Sequence, residues 1–159
     1  MAINPNVTFV AGEIYKAEQA NRLPFGVCAS SSSTTDYVLT TTLTIATGMS
    51  ATFTAIASRL YRVTYYEPAV GVTSVLSGST TLRILLTNAL GTNLQRGLIQ
   101  NTAAVSSTGT LNLVHVGTFT AGSVTVVGCA ITSSVTGAPQ LTRNVSSVAR
   151  LLVEDIGPS

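Results

Sequence analysis

Charge is what this chain most lacks. Only 9% of its 159 residues are Asp, Glu, Lys or Arg, against roughly 25% in an average soluble domain. There is one lysine (Lys16), one histidine, two cysteines and no tryptophan. Each scarcity argues against a class. A coiled coil or long helix needs Ala, Glu, Lys, Leu and Arg in bulk. A basic nucleic-acid binder needs a cationic field, and a formal net charge of +2 spread along the chain makes none. Disorder combines low hydrophobicity with high net charge, whereas here 45% of residues are apolar. Structural zinc takes three or four Cys, His or carboxylate ligands, and Cys28, Cys129 and His115 lie far apart. The only adjacent acids, Glu154 and Asp155, are too sparse for an EF-hand loop. Ser, Thr, Asn and Gly interrupt every apolar run, so no window of about 18 to 20 apolar residues exists to span a membrane as a helix. The first residues, Met1-Ala2-Ile3-Asn4-Pro5-Asn6, carry neither the cationic nor the apolar region of a secretory signal, so synthesis in a cytoplasm without export by that route is expected. No cofactor, nucleic acid or membrane partner is expected.

Serine and threonine fill the gap, with 17 Ser and 25 Thr, 42 residues of 159. The missing charge is localised: residues 97–142 and 37–58 contain no Asp, Glu, Lys or Arg. A free monomer gains solubility from surface charge, and exposed strand edges are normally guarded by lysine. Uncharged strands should therefore be core or subunit interface, which predicts a closed homo-oligomer, a trimer being the expected form.

The length fits one domain with a real core. Residues 12–23 hold helix formers, with Glu13 early, Arg22 late and Pro24 as a stop. This short helix and the residues before it form a predicted arm, 1–24, ahead of a sandwich, 25–159. From Phe25 onward the apolar period is two. Strands are predicted over 25–29, 37–45, 52–57, 59–67, 82–87, 94–100, 111–119, 124–132 and 147–156. Gly48-Met49-Ser50 is expected to turn the chain, Pro68 to end a strand, and Thr120-Ala121-Gly122-Ser123 to form a hairpin. About nine or ten strands without helical crossovers predict an antiparallel all-β sandwich of jelly-roll or Greek-key type.

Chemistry is sparse. His115 alternates with Leu111, Leu113 and Phe119 on one strand face, the pattern of an inward or interfacial histidine. No G-x-S-x-G accompanies it, and a triad needs a converging nucleophile and carboxylate. The segment 91–97 lacks the lysine of a phosphate loop. A non-enzymatic role is therefore expected. Cys28 and Cys129 read as two small buried hydrophobes. Tyr61, Tyr65 and Tyr66 are candidate platforms for stacking on a sugar. The alternation of residues 59–67 sets Tyr61, Val63 and Tyr65 on one face and Arg62, Thr64 and Tyr66 on the other, which favours two core tyrosines and one at an edge or contact. Val7, Phe9, Ile14, Tyr15 and Leu23 are candidate docking residues, being apolar on an arm too small to bury them.

Four segments carry a resemblance. Ala17-Glu18-Gln19-Ala20-Asn21-Arg22-Leu23-Pro24-Phe25-Gly26-Val27 looks like the short helix and Leu-Pro-x-Gly element of small virion proteins of tailed bacteriophages of actinobacteria. Arg59-Leu60-Tyr61-Arg62-Val63-Thr64-Tyr65 resembles an Arg-x-Tyr-Arg-Val-Thr strand in the same group, and Leu94-Gln95-Arg96 matches a further short element. Leu151-Leu152-Val153-Glu154-Asp155-Ile156-Gly157-Pro158 resembles its terminal Val-Glu-Asp-Ile-Gly-Pro signature. Seven Arg against one Lys fits a GC-rich genome. The resemblance implies a structural virion protein, made in a bacterial cytoplasm and located in the particle. In that group such a sandwich is usually the C-terminal part of a longer minor tail or tail-fibre protein. Here it stands almost alone, which also brings capsid-decoration proteins into view. The implied partners are further copies of the chain and the major capsid or tail proteins. The alternative is a glycan- or receptor-binding module for host attachment.

Overall fold

The computed structural model describes residues 23–72, 78–101, 107–136 and 138–159. The predicted helix at 12–23 lies outside this set except for Leu23, as do Val7, Phe9, Ile14 and Tyr15. Ten strands are present among the described residues: β1 (Gly26–Ser33), β2 (Tyr37–Val38), β3 (Thr44–Ala55), β4 (Arg59–Val72), β5 (Gly78–Leu86), β6 (Asn93–Asn101), β7 (Ser107–Gly117), β8 (Gly122–Thr132), β9 (Gln140–Leu141) and β10 (Ala149–Pro158).

They form two antiparallel sheets. In the first, β10 lies between β1 and β4, and β7 runs along the other edge of β4. The two-residue β9 continues the β10 side of β4 at Val70 and Gly71 and carries β2 beyond it. The second sheet has the order β3-β8-β5-β6. Of the connections between consecutive strands, only β5 to β6 joins hydrogen-bonded neighbours; most others cross from one sheet to the other. That winding, with β1 paired to β10, is a jelly-roll β-sandwich.

Alternation explains the core. Tyr61, Val63 and Tyr65 of β4 point inward and meet Leu82 and Ile84 of β5, with Leu151 and Val153 of β10 beside them. Phe53, Tyr61 and Phe119 cluster at one end, with the Phe53 and Phe119 rings edge-to-face at 5.6 Å, a favoured aromatic geometry. Gly128 of β8 lies under Tyr65: a Cβ there would sit 2.8 Å from the ring's Cζ.

Several expectations are corrected. Residues 48–50 do not turn the chain; they lie within β3 as a bulge where the register with β8 shifts between Ile45 and Ser50. Gly48 makes this possible, with a φ of +76° that side chains with a Cβ rarely adopt. Pro68 does not end β4, because a shift in the β4–β7 register between Glu67 and Val70 absorbs it. The turn before β8 is no hairpin, since β7 and β8 belong to different sheets. The predicted strand at 37–45 breaks between β2 and β3, with Leu39 fully buried in the gap. Cys28 is exposed on β1, although Cys129 is buried as expected. The lysine-free edges also have an explanation within one subunit. β1 runs beside β3 and β6 beside β7, so each sheet's edge is folded against the other sheet.

Candidate functional site

Three of the four segments singled out by resemblance are far apart in sequence and meet at one end of the sandwich; the fourth, 94–96, lies on β6 of the other sheet. Arg59 opens β4 opposite Pro158, and Tyr61 lies opposite Asp155. The Arg59 guanidinium is buried, donating from Nε to Asp155 Oδ2 and from Nη2 to Oδ1 at 2.6 Å. Nη2 also donates to the Leu23 carbonyl at 2.6 Å. The same guanidinium lies over the Phe25 ring, 3.9 Å from its centroid, a cation–π contact. Asp155 Oδ1 accepts the backbone N–H groups of Phe25 at 3.5 Å and Gly157 at 3.0 Å. The residues entering β1, starting β4 and ending β10 thus share one charge pair. This junction is the root of the described chain, whose first residue is Leu23. A hollow of about 260 Å³ beside it is lined by Phe25, Ile56, Ser58, Arg59 and Pro158. Leu23, alone among the five candidate docking residues in being described, is half-exposed at this root, and Phe25 is exposed next to it.

Electrostatics explain why the root holds. Burial alone would push the Asp155 carboxyl up, but the hydrogen bonds from Arg59 and from the Gly157 and Phe25 amides outweigh it and hold the group below its ordinary value. The Arg59 guanidinium is raised chiefly by its hydrogen bond to Asp155, against desolvation. A second buried pair is purely internal. Arg143 grips Glu67 through Nη2, and through Nε at 3.1 Å, while the Tyr65 hydroxyl donates to Glu67 Oε1 at 2.6 Å. Arg143 Nη1 donates to the carbonyl of Thr47 at 2.8 Å, and its backbone N–H donates to Asp36 Oδ1 at 2.6 Å. Burial first, then the Glu67 charge, raises the Tyr65 hydroxyl well above its ordinary value. This cluster fastens the β3 bulge and the loops around β2 and β9 to β4.

The tyrosine candidates separate. Tyr61 and Tyr65 are buried at 1% and 0% exposure, so neither presents a ring to a ligand, and their candidacy as platforms is corrected. The Tyr61 hydroxyl accepts the Ile56 N–H at 2.9 Å. Tyr66 is half-buried on the outward face of β4. His115 is half-buried opposite Val63, with its ring 6.2 Å from that of Phe119. The four described acids are engaged elsewhere: Asp155 with Arg59, Glu154 with Arg62, Glu67 with Arg143, and Asp36 with the Arg143 backbone. Among the described residues, no group of three or more His, Cys, Asp or Glu could hold a metal ion.

The long uncharged run surfaces at one side of the sandwich. Val114 and Val116 of β7 are 43% and 51% exposed, and Leu98 of the adjacent β6 is 44% exposed. On the neighbouring β4, Thr64 lies opposite Val114 and Arg62 opposite Val116.

The arrangement defines a jelly-roll β-sandwich whose first described residues are braced by a buried ion pair. No family model and no curated protein matches the chain. Among solved structures it is similar in fold to the Eiger TNF of S. frugiperda, with a TM-score of 0.51 at 8% identity, covering 84% of this chain and 94% of that one. It also aligns with the globular domain of zebrafish complement 1qA protein, with a TM-score of 0.43 at 15% identity, over 82% of this chain and 96% of that one.

Proposed function

We propose that the chain is a non-enzymatic structural component of a tailed-phage virion: a self-associating β-sandwich displayed on the particle, as a minor tail or fibre protein or a capsid decoration protein. One observation carries this reading. Leu23 and Phe25, Arg59, and Asp155 with Gly157 belong to three of the four segments that resemble phage virion proteins, and they build one junction around a buried ion pair. The junction fixes where the arm leaves, which is what a docking arm needs if it is to hold the sandwich in a set orientation. Self-association uses the β6–β7 side, where Leu98, Val114 and Val116 are exposed apolar side chains, and the assembly is a trimer. The partners of the arm are major capsid or tail proteins.

Deletion of residues 1–22 tests the reading. The truncated chain should stay folded and oligomeric by light scattering yet fail to join particles in complementation; normal incorporation would overturn the docking role. Copy number in a reconstruction of the native particle places it, hundreds of copies marking the capsid surface and a handful the tail.

A further inference from the structure

We propose that the outward face of β1, β10 and β4 is a binding site for an acidic glycan, with Tyr66 as the stacking platform and Arg150 as the anchor for the sugar carboxylate. This goes beyond particle assembly and does not depend on it.

Strand register builds the site. Ser32, Arg150 and Tyr66 form one cross-strand row, and Ser30, Leu152 and Thr64 form the next, because Ser32 pairs with Arg150 and Arg150 with Tyr66, while Ser30 pairs with Leu152 and Leu152 with Thr64. The three hydroxyl side chains are short, so the rows enclose a groove of about 410 Å³ that Val27 also lines. That volume lies within the roughly 300 to 1,000 Å³ of small-ligand sites.

The chemistry selects the ligand. The CH-rich face of a pyranose stacks on an aromatic ring, and Tyr66 is half-exposed here. Sugar hydroxyls exchange hydrogen bonds with Ser30, Ser32 and Thr64, none of which is committed to another side chain. Arg150 is exposed and has no acidic partner among the described residues, each described acid being engaged elsewhere. A guanidinium in that state offers a two-pronged site for a carboxylate. Arg62 and Glu154, in the next row along, satisfy each other at 2.8 Å and leave the field around Arg150 positive. The backbones of β10 and β4 are saturated within the sheet, so recognition falls to side chains. A nucleotide fits less well, with one aromatic ring and one free cation facing several phosphates. Thr64, at the β4 side of the groove, is the cross-strand partner of Val114, so the groove adjoins the β7 edge of the sheet.

The test is a glycan array and titration calorimetry with the full chain, using uronate- and sialate-bearing oligosaccharides beside neutral ones of the same length. At least one acidic oligosaccharide should bind at least tenfold more tightly than its neutral counterpart. Arg150→Gln should erase that preference, and Tyr66→Ala should weaken binding of both by tenfold or more. Both variants should keep the wild-type unfolding midpoint and particle size; Arg150 is exposed, so its replacement tests the site even if Tyr66→Ala perturbs folding. No binding of any acidic oligosaccharide at millimolar concentration, equal binding of acidic and neutral sugars, or an unchanged preference in Arg150→Gln would each overturn the assignment.

Discussion

Arg59 and Asp155, 96 residues apart, form a buried two-pronged ion pair across β4 and β10, and the same guanidinium holds the Leu23 carbonyl. The pair is therefore a brace for Leu23 as well as a contact within the sheet. Removing one partner leaves the other charge buried and alone. Asp155→Ala should cost about 3 to 5 kcal/mol in urea unfolding. The double replacement Arg59→Met with Asp155→Leu, which leaves no orphan charge, should cost distinctly less. Equal losses in the two would show that packing rather than charge dominates.

Acid should find the same brace. The folded-state pKa of Asp155 lies below its ordinary value, so the folded form binds a proton less readily than the unfolded chain. Its contribution is complete above the ordinary aspartate value of about 3.9 and is lost as pH falls towards the folded value. The urea midpoint should drop on acidification below about pH 4, and Asp155→Asn should flatten that limb. Glu154 is also held down, by the Arg62 hydrogen bond, but that pair is partly exposed, so added salt should reduce its share first.

Tyr65 cannot retreat, because its hydroxyl is bound to Glu67 and Glu67 to Arg143. A Cβ at Gly128 would press on the ring at 2.8 Å and on the Met49 Cβ at 3.0 Å. Gly128→Ala should thus destabilise by about 1 to 3 kcal/mol through overpacking, measured by thermal unfolding. Gly122 has open space around its Cβ position, but its φ of +119° makes Gly122→Ala a matter of backbone strain alone.

The apolar strip on β7 should govern assembly. Val114→Asp with Val116→Asp replaces two exposed apolar side chains with like charges. Multi-angle light scattering should show the 16.4 kDa monomer with an unchanged circular-dichroism spectrum. Persistence of the oligomer would move the interface elsewhere.

The two thiols should react unequally. Cys28 is exposed, whereas Cys129 is buried with its thiol pushed up to about 11 by desolvation. Thiolate is the reactive form, so a native titration with a thiol reagent at pH 8 should show one fast equivalent, with the second appearing on unfolding.

Period-two alternation made the sandwich legible, and nowhere better than on β4. It set Tyr61, Val63 and Tyr65 inward and Tyr66 outward, as the structure has them. The same rhythm places Arg59 and Glu67 on the inward face, and Asp155 inward with Leu151 and Val153. Two charges at core positions of one strand were a readable sign of buried partners, though not of which partners: Asp155 and Arg143 come 96 and 76 residues later. The bulge at Gly48 was illegible because glycine marks turns and bulges alike. Pro68 misled because a register shift hides an unpaired residue within a strand. The crossing from β7 to β8 looked like a hairpin because short turns do not say whether the next strand stays in its sheet.

Because β1 pairs with β10, residues separated by more than 100 positions must find each other before the first sheet is complete; Phe25 and Asp155 are 130 apart. Closure over such a span slows folding. On the ribosome, β1 emerges long before its partner strand, and the brace at Arg59 stays open until Asp155 has left the exit tunnel. A chain interrupted before β10 would therefore carry Arg59 without its carboxylate and Leu23 without a fixed brace.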